Sequence, residues 1–506
     1  MDKSVRNGLK LEIHPTVFWT SAGLIVLFVA FTLLNLKEMS AVFTAVQAAI
    51  TSSAGWLFVA AVNVYLGIVI YLLFSRYGNI RLGGADARPE FTIWGWFSML
   101  FSAGMGIGLV FWSVAEPVYH FIAPPWGETR TPESAQLSLA ITFFHWGVHA
   151  WALYGLTALG LAYFAFNRGL PLTIRSVFHP LLGERIHGGL GNLIDILAAV
   201  ATLFGLATSL GLGAQQINAG LGYLFGFEQG PSQQVVLIAG ITLLATVSVV
   251  LGIDKGIRRL SQLNMIIAFL LLSFVFVVGP TLLLLDALVQ NIGAYLTNLP
   301  HLSLWTEAYK GTEWQHGWTI FYWAWWIAWA PFVGIFIARI SKGRTIREFL
   351  LGVLLVPTLV TFVWLTVFGN TALYLELSGQ GGVVEAVNEN VATALFVLLN
   401  QFPLAAVTSA LAVVAIAIFF VTSSDSASLV VDIITAGGHH DPPAVQRIFW
   451  ASTEGIIAAV LLLGGGLKAL QTGVIITGLP FALILLLLGV SLLRGLKHDS
   501  TTLARF

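Results

Sequence analysis

Long apolar runs alternate with short polar segments along almost the whole chain. A helical crossing of a bilayer needs about 20 predominantly apolar residues, and irregular backbone cannot face lipid. We identify twelve such runs, so the pattern predicts an all-α integral membrane protein with twelve transmembrane helices. The predicted spans are approximately 17–35, 55–75, 93–115, 138–166, 190–224, 234–252, 260–288, 318–338, 348–370, 404–433, 448–467 and 472–493.

The distribution of basic residues tests this count independently, because Lys and Arg accumulate in cytoplasmic loops. With both termini in the cytoplasm, all but four of the 24 basic residues fall in cytoplasmic segments. The four exceptions are Lys37, Arg130, Lys310 and Lys468. A miscount of one span would exchange the sides of every later loop, so the asymmetry supports twelve spans with both ends inside.

Composition agrees with a membrane protein. The chain has 506 residues, of which 57% are hydrophobic and only 9% are charged, whereas soluble domains carry about 25% charged residues. The net charge of zero implies no polyanionic partner such as nucleic acid. The absence of cysteine excludes disulfides, thiolate metal sites and a cysteine nucleophile. The N-terminus is too polar for a cleaved signal peptide, so the first span is expected to be retained.

Two connecting segments are longer than a turn. In 289–317, Leu296, Leu299 and Leu302 recur at roughly helical spacing between polar residues. This pattern is typical of an amphipathic helix that lies along a membrane surface. Residues 371–403 look similar, and both segments are predicted to cover the extracellular face.

We place three carboxylates within the predicted spans, namely Asp195, Asp425 and Glu454. A charge inside a membrane is costly and indicates function by default. Asp195 lies near a cytoplasmic helix end, where hydration or a backbone hydrogen bond is an equally simple explanation. Asp425 follows Thr422 and Ser423, so hydroxyls and a carboxylate cluster in the tenth span.

The third span contains glycines at alternate positions, Gly104, Gly106 and Gly108. Small residues can simply allow close helix packing in membranes. Each glycine also weakens a helix by about 1 kcal/mol, which favours an unwound segment. Unwinding frees backbone carbonyls for a hard cation, and broken helices mark ion sites in transporters. The segment lacks the sequence of a phosphate-binding loop.

The eighth span is unusually rich in tryptophan, with five in residues 318–329. An interfacial aromatic belt explains Trp318 but not Trp329, which lies about 16 Å deeper along the helix. An aromatic face buried in the membrane suits a quaternary ammonium group, which cannot donate N–H hydrogen bonds and is held by cation–π attraction. At 100° per residue, one face carries Trp318, Phe321, Tyr322, Trp325, Trp326, Trp329, Phe332 and Phe336.

The fourth span provides a second aromatic group, Trp146, Trp151 and Tyr154, flanked by His145 and His149. The two histidines could form a proton relay, or they could be structural.

These motifs resemble the betaine/choline/carnitine transporter family. The tryptophan-rich helix with the following segment 338–348 is similar to the family's signature, and the glycine motif 104–108 is similar to its sodium-coupled branch. The resemblance implies the inverted-repeat (LeuT-like) fold and, commonly, a homotrimer in the bacterial inner membrane. The implied regions are 1–92 with two peripheral helices, 93–289 as the first five-helix repeat, 290–317 as a surface helix, 318–495 as the inverted repeat, and 496–506 as a short tail.

The resemblance also implies site residues, with sodium as the coupling ion and no other cofactor. The substrate site would comprise Trp325, Trp326, Trp329, Trp146, Trp151, Tyr154, Met105, Gly106 and Gly108. Sodium would be held by Ser102, Met105, Phe419, Thr422 and Ser423. A second sodium site would use Thr202 and Phe332, although Leu206 stands where a second hydroxyl is expected and Thr208 or Ser209 would have to substitute.

The expected function is sodium-coupled import of glycine betaine by alternating access, as an osmoprotectant. The alternatives within the family are a sodium-independent exchanger and a transporter of choline, carnitine or a sulfonium compound. Choline-selective members place an aspartate at the position that matches Gly108, which argues for a zwitterion here. A membrane enzyme would need a nucleophile and base or a metal cluster, and the spans offer no such set. A membrane receptor would bind ligand without flux.

Overall fold

The computed structural model describes residues 11–250, 254–309, 311, 313–439 and 442–503. These residues are predominantly helical, with one isolated antiparallel bridge between Arg81 and Thr345. The principal helices are α1 (Pro15–Leu34), α2 (Leu36–Phe74), α3 (Ile93–Gly104), α4 (Ile107–Ile122), α5 (Pro132–Trp146), α6 (Val148–Ala162), α7 (Gly189–Phe225), α8 (Pro231–Val250), α9 (Asp254–Val278), α10 (Thr281–Leu304), α11 (Thr319–Ile340), α12 (Ile346–Leu365), α13 (Ala405–Thr435) and α14 (Ala444–Leu503).

The structure confirms an all-helical chain with many apolar helices. Within the described residues, ten helical segments are long and apolar enough to cross a membrane, or eleven when the bent pair α3 and α4 forms one span. The last two predicted spans both lie in α14, which Gly465 and Gly466 interrupt with non-helical dihedral angles. The predicted sixth span corresponds to α8. The number twelve and the inverted repeats therefore stay predictions.

One predicted boundary was wrong. The seventh span was expected at 260–288 and a surface helix at 289–317, but α9 ends at Val278 and α10 begins at Thr281. The reason is Pro280, which has no N–H to continue the hydrogen-bond ladder, while the Gly279 N–H closes the last turn on the Val275 carbonyl at 2.9 Å. The resulting α10 is itself long and apolar enough to span.

The segment 371–403 folds back on the helices instead of crossing as one unit. It contains the short helices Thr371–Leu377, Val383–Glu389 and Ala394–Leu399. The carboxylate of Glu376 accepts hydrogen bonds from the Val383 and Val384 N–H groups, at 2.7 and 3.0 Å. An acceptor at a helix N-terminus satisfies N–H groups that have no intrahelical partner, so the cover is held by local capping.

The charged loop between α11 and α12 attaches these helices to α2 and α3. The Arg347 guanidinium donates to the Leu73 and Ser75 carbonyls at the end of α2, at 2.9 and 3.2 Å. Arg344 bonds the Phe91 carbonyl at 2.7 Å and lies 4.9 Å from the Trp96 ring. Arginine suits this role because its planar fork makes several hydrogen bonds at once. Arg344 and Arg347 thereby fix the junction of α11 and α12 against α2 and α3.

Glycines allow α11 to lie close to its neighbours. A Cβ at Gly334 of α11 would lie 2.8 Å from the Thr157 side chain of α6, and one at Gly478 of α14 would lie 3.0 Å from the Ala324 carbonyl oxygen. Close approach through small residues is typical of helices packed within membranes. Because α11 is enclosed in this way, five of its aromatic side chains are buried and the other three, Trp329, Phe332 and Phe336, are partly buried.

Candidate functional site

The backbone breaks where the glycine motif predicts it. Helix α3 ends at Gly104 and α4 begins at Ile107, and the two are bent by 63°. Between them Met105 and Gly106 are extended, with φ/ψ of −95°/129° and −172°/179°. Extended residues interrupt the intrahelical ladder, so helix-end carbonyls here can serve a ligand.

A cavity of about 200 Å³ opens beside this break. It brings together residues from α3, α4, α5, α6, α7, α9, α11, α12 and α13. Of the predicted site residues, Ser102, Met105, Gly106, Gly108, Trp146, Trp151, Tyr154, Trp325, Trp326, Trp329, Phe332, Phe419, Thr422 and Ser423 line it, and Thr202 does not. The sequence patterns therefore converge on one space, although they lie more than 300 residues apart.

The aromatic side chains form the wall of the cavity. The Trp325 and Trp326 rings are stacked, with centroids 4.9 Å apart and planes inclined by 11°. Trp146 meets Trp326 edge-on at 4.9 Å and 70°, and Tyr154 lies 6.3 Å from Trp326. Trp151 packs edge-on against Tyr154 at 5.4 Å. Several π faces around one space are the arrangement that attracts a quaternary ammonium group.

Two glycines make room for two of these tryptophans. A Cβ at Gly108 would lie 2.5 Å from the Trp325 ring atom Cη2, and a Cβ at Gly205 would lie 2.7 Å from Trp329 Cδ1. Real Cβ atoms do not approach side chains this closely, so any larger residue must displace the indole. The Trp325 indole N–H also donates to the Gly205 carbonyl at 3.3 Å. The sequence interpretation missed Gly205, since one glycine in a helix carries no pattern.

Hydroxyl groups of α13 face the same cavity. Thr422 and Ser423 line it together with Phe419 and Ser426. The Thr422 hydroxyl donates to the Ile418 carbonyl at 2.9 Å, which leaves its lone pairs available as acceptors. Oxygen ligands suit a hard monovalent cation, and the residues present fit such a site.

The suggested second ion site stays a prediction, because only part of its residue set lines the cavity. Thr202 is buried, and its hydroxyl donates to the Ala198 carbonyl of its own helix at 2.8 Å, whereas Phe332 lines the cavity. Of the two substitutes considered, Ser209 lines the cavity, while the Thr208 hydroxyl is bonded to the Phe204 and Leu470 carbonyls. The structure therefore does not bring Thr202 to the cavity wall with Phe332.

The structure also adds a buried amide to the site, which the sequence analysis did not single out. Asn264 of α9 lines the cavity, is 1% exposed, and has no hydrogen-bond partner for either its side-chain oxygen or nitrogen among the described residues. A buried amide without a partner costs about 1–3 kcal/mol, so a polar ligand group is its natural complement. A single asparagine in a predicted span gave no periodic signal.

The sequence analysis also underestimated the number of buried carboxylates. Glu116 was left just outside the third span, but α4 continues past Pro117 and buries it completely. Asp432 is fully buried as well, and its carboxylate accepts from the Gln446 amide at 2.8 Å.

Of the three predicted carboxylates, Asp195 forms an ion pair with Arg175 and Asp425 pairs with Arg447 at 3.1 Å. Glu454 accepts from the Ser424 hydroxyl at 3.1 Å, and none of the three lines the cavity.

Comparison with known proteins covers almost the whole chain. Residues 16–501 match the model of the betaine/carnitine/choline family of transporters. A glycine betaine/proline/choline transporter of Vibrio parahaemolyticus is 47% identical over 97% of this chain and 91% of its own. Glycine betaine transporter 1 of the same bacterium is 49% identical over 96% of this chain and 94% of its own. Glycine betaine transporter OpuD of Bacillus subtilis is 45% identical over 97% of this chain and 96% of its own.

Proposed function

The chain belongs to the betaine/carnitine/choline transporter family, and from that premise we propose that it imports glycine betaine together with sodium. It is a multi-pass membrane transporter and not an enzyme. The proposal places it in the bacterial inner membrane with both termini in the cytoplasm, because that orientation puts nearly all basic residues inside. A homotrimer is part of the proposal and rests on the family alone.

The observation that carries the substrate proposal is an aromatic cavity without charge. None of the described lining residues is acidic or basic. A low-dielectric site of this kind penalises a cargo with a net charge, whereas a zwitterion brings its own counter-charge. The stacked Trp325 and Trp326 rings would hold the trimethylammonium group, and the unpartnered amide of Asn264 would donate to the carboxylate.

Sodium coupling is supported by the neutral oxygen atoms beside the helix break. Ser102 and Met105 at the end of α3 and Phe419, Thr422 and Ser423 on α13 share the cavity wall. A cation bound there would join α3 to α13, so its release would be linked to movement of these helices. One sodium entering with a neutral substrate gains about 2.3 kcal/mol per 100 mV, or about fifty-fold accumulation.

Choline is the second candidate, because one similar Vibrio protein is named for choline and proline besides glycine betaine. An aromatic cage binds the onium group of either compound. The two differ in net charge, and the uncharged cavity favours betaine. The order of preference therefore distinguishes the two candidates.

Uptake by the purified chain in proteoliposomes tests both parts of the proposal. We expect labelled glycine betaine to accumulate with an inward sodium gradient and not when potassium salts replace sodium. Unlabelled betaine should compete better than choline, carnitine or a sulfonium analogue. Betaine counterflow that is independent of sodium would show an exchanger, and saturable binding without flux would show a receptor.

A further inference from the structure

Three potential metal ligands converge outside the transport cavity. Glu116 and His120 lie one turn apart on α4, and His145 lies at the end of α5. All three side chains are completely buried, and one ligand atom of each lies within 4.8 Å of the others. None of them lines the cavity.

We propose that Glu116 Oε1, His120 Nε2 and His145 Nδ1 form a binding site for a divalent transition metal, with zinc as the best match. Glu116 Oε1 lies 2.6 Å from His145 Nδ1 and 3.3 Å from His120 Nε2. In tetrahedral zinc sites with bonds of about 2.0–2.1 Å, ligand atoms are about 3.3 Å apart. Two imidazoles and one carboxylate are a known zinc ligand set that leaves a fourth position open.

Neighbouring side chains form hydrogen bonds with Glu116 and His145 that would hold these two residues in position to bind a metal. Glu116 Oε2 accepts from the Trp146 indole N–H at 2.8 Å and from the Tyr322 hydroxyl at 2.5 Å, which leaves Oε1 for the metal. His145 Nε2 lies 3.0 Å from the Thr319 hydroxyl oxygen. Metal-bound histidines and carboxylates typically have such partners, which fix the ring and the tautomer.

Charge also favours a cation at this position. The only ionic partners of Glu116 among the described residues are the two histidines, and no Lys or Arg pairs with it. A buried carboxylate without a balancing charge is strongly disfavoured. A divalent ion held by Glu116 and two neutral imidazoles would supply that charge.

Two partly buried tryptophans separate the cluster from the loop before α11. The Trp318 ring centroid lies 4.5 Å from that of His120, and the Trp314 centroid lies 5.1 Å from His120 and 6.2 Å from His145. Side chains at the start of a helix can move without rearranging the helical core. These indoles therefore give a built-in fluorescent reporter of metal binding at the cluster.

The test uses the purified full chain without a polyhistidine tag and the metals alone as probes. The exposed residues His179, Glu184 and His187 lie close together and could bind zinc adventitiously, so the background is the double variant His179→Gln/His187→Gln. We expect calorimetry to show one zinc ion per chain and Co²⁺ to give the visible absorption of a tetrahedral site. Zinc should also raise the thermal unfolding midpoint.

The variants His120→Gln and His145→Gln should each weaken zinc binding more than about tenfold, since loss of outer partners alone costs 10–100-fold. His149→Gln is the matched control, because His149 is equally buried but bonds Ser303 and is outside the cluster. Zinc binding that survives in both His120→Gln and His145→Gln, or no zinc binding in the background chain, would overturn the proposal. The elution position of each variant in gel filtration and its thermal unfolding midpoint without metal show whether the fold is intact. A variant that is unchanged in both but does not bind zinc has lost the site alone.

Discussion

At the scale of single residues, the proposed substrate cage depends on glycines, which have no side chain, as well as on aromatic rings. Gly108 and Gly205 leave the space that the Trp325 and Trp329 indoles occupy. The rings supply the attraction for an onium group, and the glycines determine where the rings lie. Affinity should therefore respond both to removing a ring and to filling a glycine.

Trp329→Leu should weaken glycine betaine binding about thirty-fold and leave the protein inserted. Leucine keeps the position apolar but removes the ring quadrupole, which is worth about 2 kcal/mol when desolvated. The Trp329 indole N–H has no partner among the described residues, so the change removes a ring without breaking a hydrogen bond. Binding by tryptophan fluorescence or calorimetry measures the effect.

Trp323→Leu is the matched control, because Trp323 is on the same helix, is 1% exposed, has an equally unpartnered N–H and does not line the cavity. We expect it to lower the unfolding midpoint, as a core cavity does, with little change in affinity. Equal loss of affinity in both variants would show that Trp329 acts through packing.

Gly108→Asp should shift preference from glycine betaine towards choline, because it adds a negative charge to an uncharged cavity. The structure adds a steric cost, since any Cβ at Gly108 meets the Trp325 ring. Gly108→Ala and Gly108→Asn carry the steric cost without the charge. A competition assay should show weaker betaine binding in all three variants and a gain in the choline-to-betaine ratio only in Gly108→Asp; the same gain in Gly108→Asn would contradict a charge effect.

At the scale of helices, the broken pair α3 and α4 and the unbroken α13 have complementary roles. The break exposes backbone oxygen atoms at the end of α3, and α13 presents hydroxyl groups at successive positions of a continuous helix. An ion between them would be held partly by main chain and partly by side chains. Only the side-chain part can be changed by mutation without altering the backbone.

Thr422→Val should raise the half-saturating sodium concentration about tenfold or more and leave the maximal rate at saturating sodium largely intact. Valine preserves shape but removes a hydroxyl that lines the cavity beside the break. Sodium titrations of betaine uptake measure the effect.

Thr408→Val is the matched control, since Thr408 is on the same helix, donates to its own helix carbonyls in the same way, and lies outside the cavity. Sodium dependence that is unchanged in Thr422→Val, or equally changed in Thr408→Val, would remove Thr422 from the ion site.

At the scale of the whole molecule, the predicted twelve-span topology places the loops after α4 and after α6 on opposite sides of the membrane. The cysteine-free chain makes this testable by labelling single cysteines with a membrane-impermeant maleimide. Glu128→Cys and Glu184→Cys are both at exposed positions. Intact cells should label the first and not the second, and permeabilised cells should label both. Labelling of both in intact cells would show that one span has been miscounted.

Much of the fold could be predicted because a bilayer imposes simple rules on sequence. The thickness of the hydrocarbon core sets the length of each apolar run, and basic residues accumulate in the cytoplasmic loops. The boundary between α9 and α10 was wrong because apolar content alone does not register the break at Pro280. The cavity tryptophans could be predicted because rings on one face of a helix recur with the helical period. The helix break could be predicted because each glycine destabilises a helix.

The sequence by itself determined the class of the protein, the aromatic face and the glycine break, since each is a property of a continuous stretch of chain. Only the tertiary structure decided which stretches share a cavity, that Thr202 does not line it, and that Asn264 lines it while Gly205 makes room for Trp329. It also decided that Glu116, besides His120 on its own helix, meets a histidine, a tryptophan and a tyrosine from other helices. Such contacts depend on the relative rotation of packed helices, which no local pattern records.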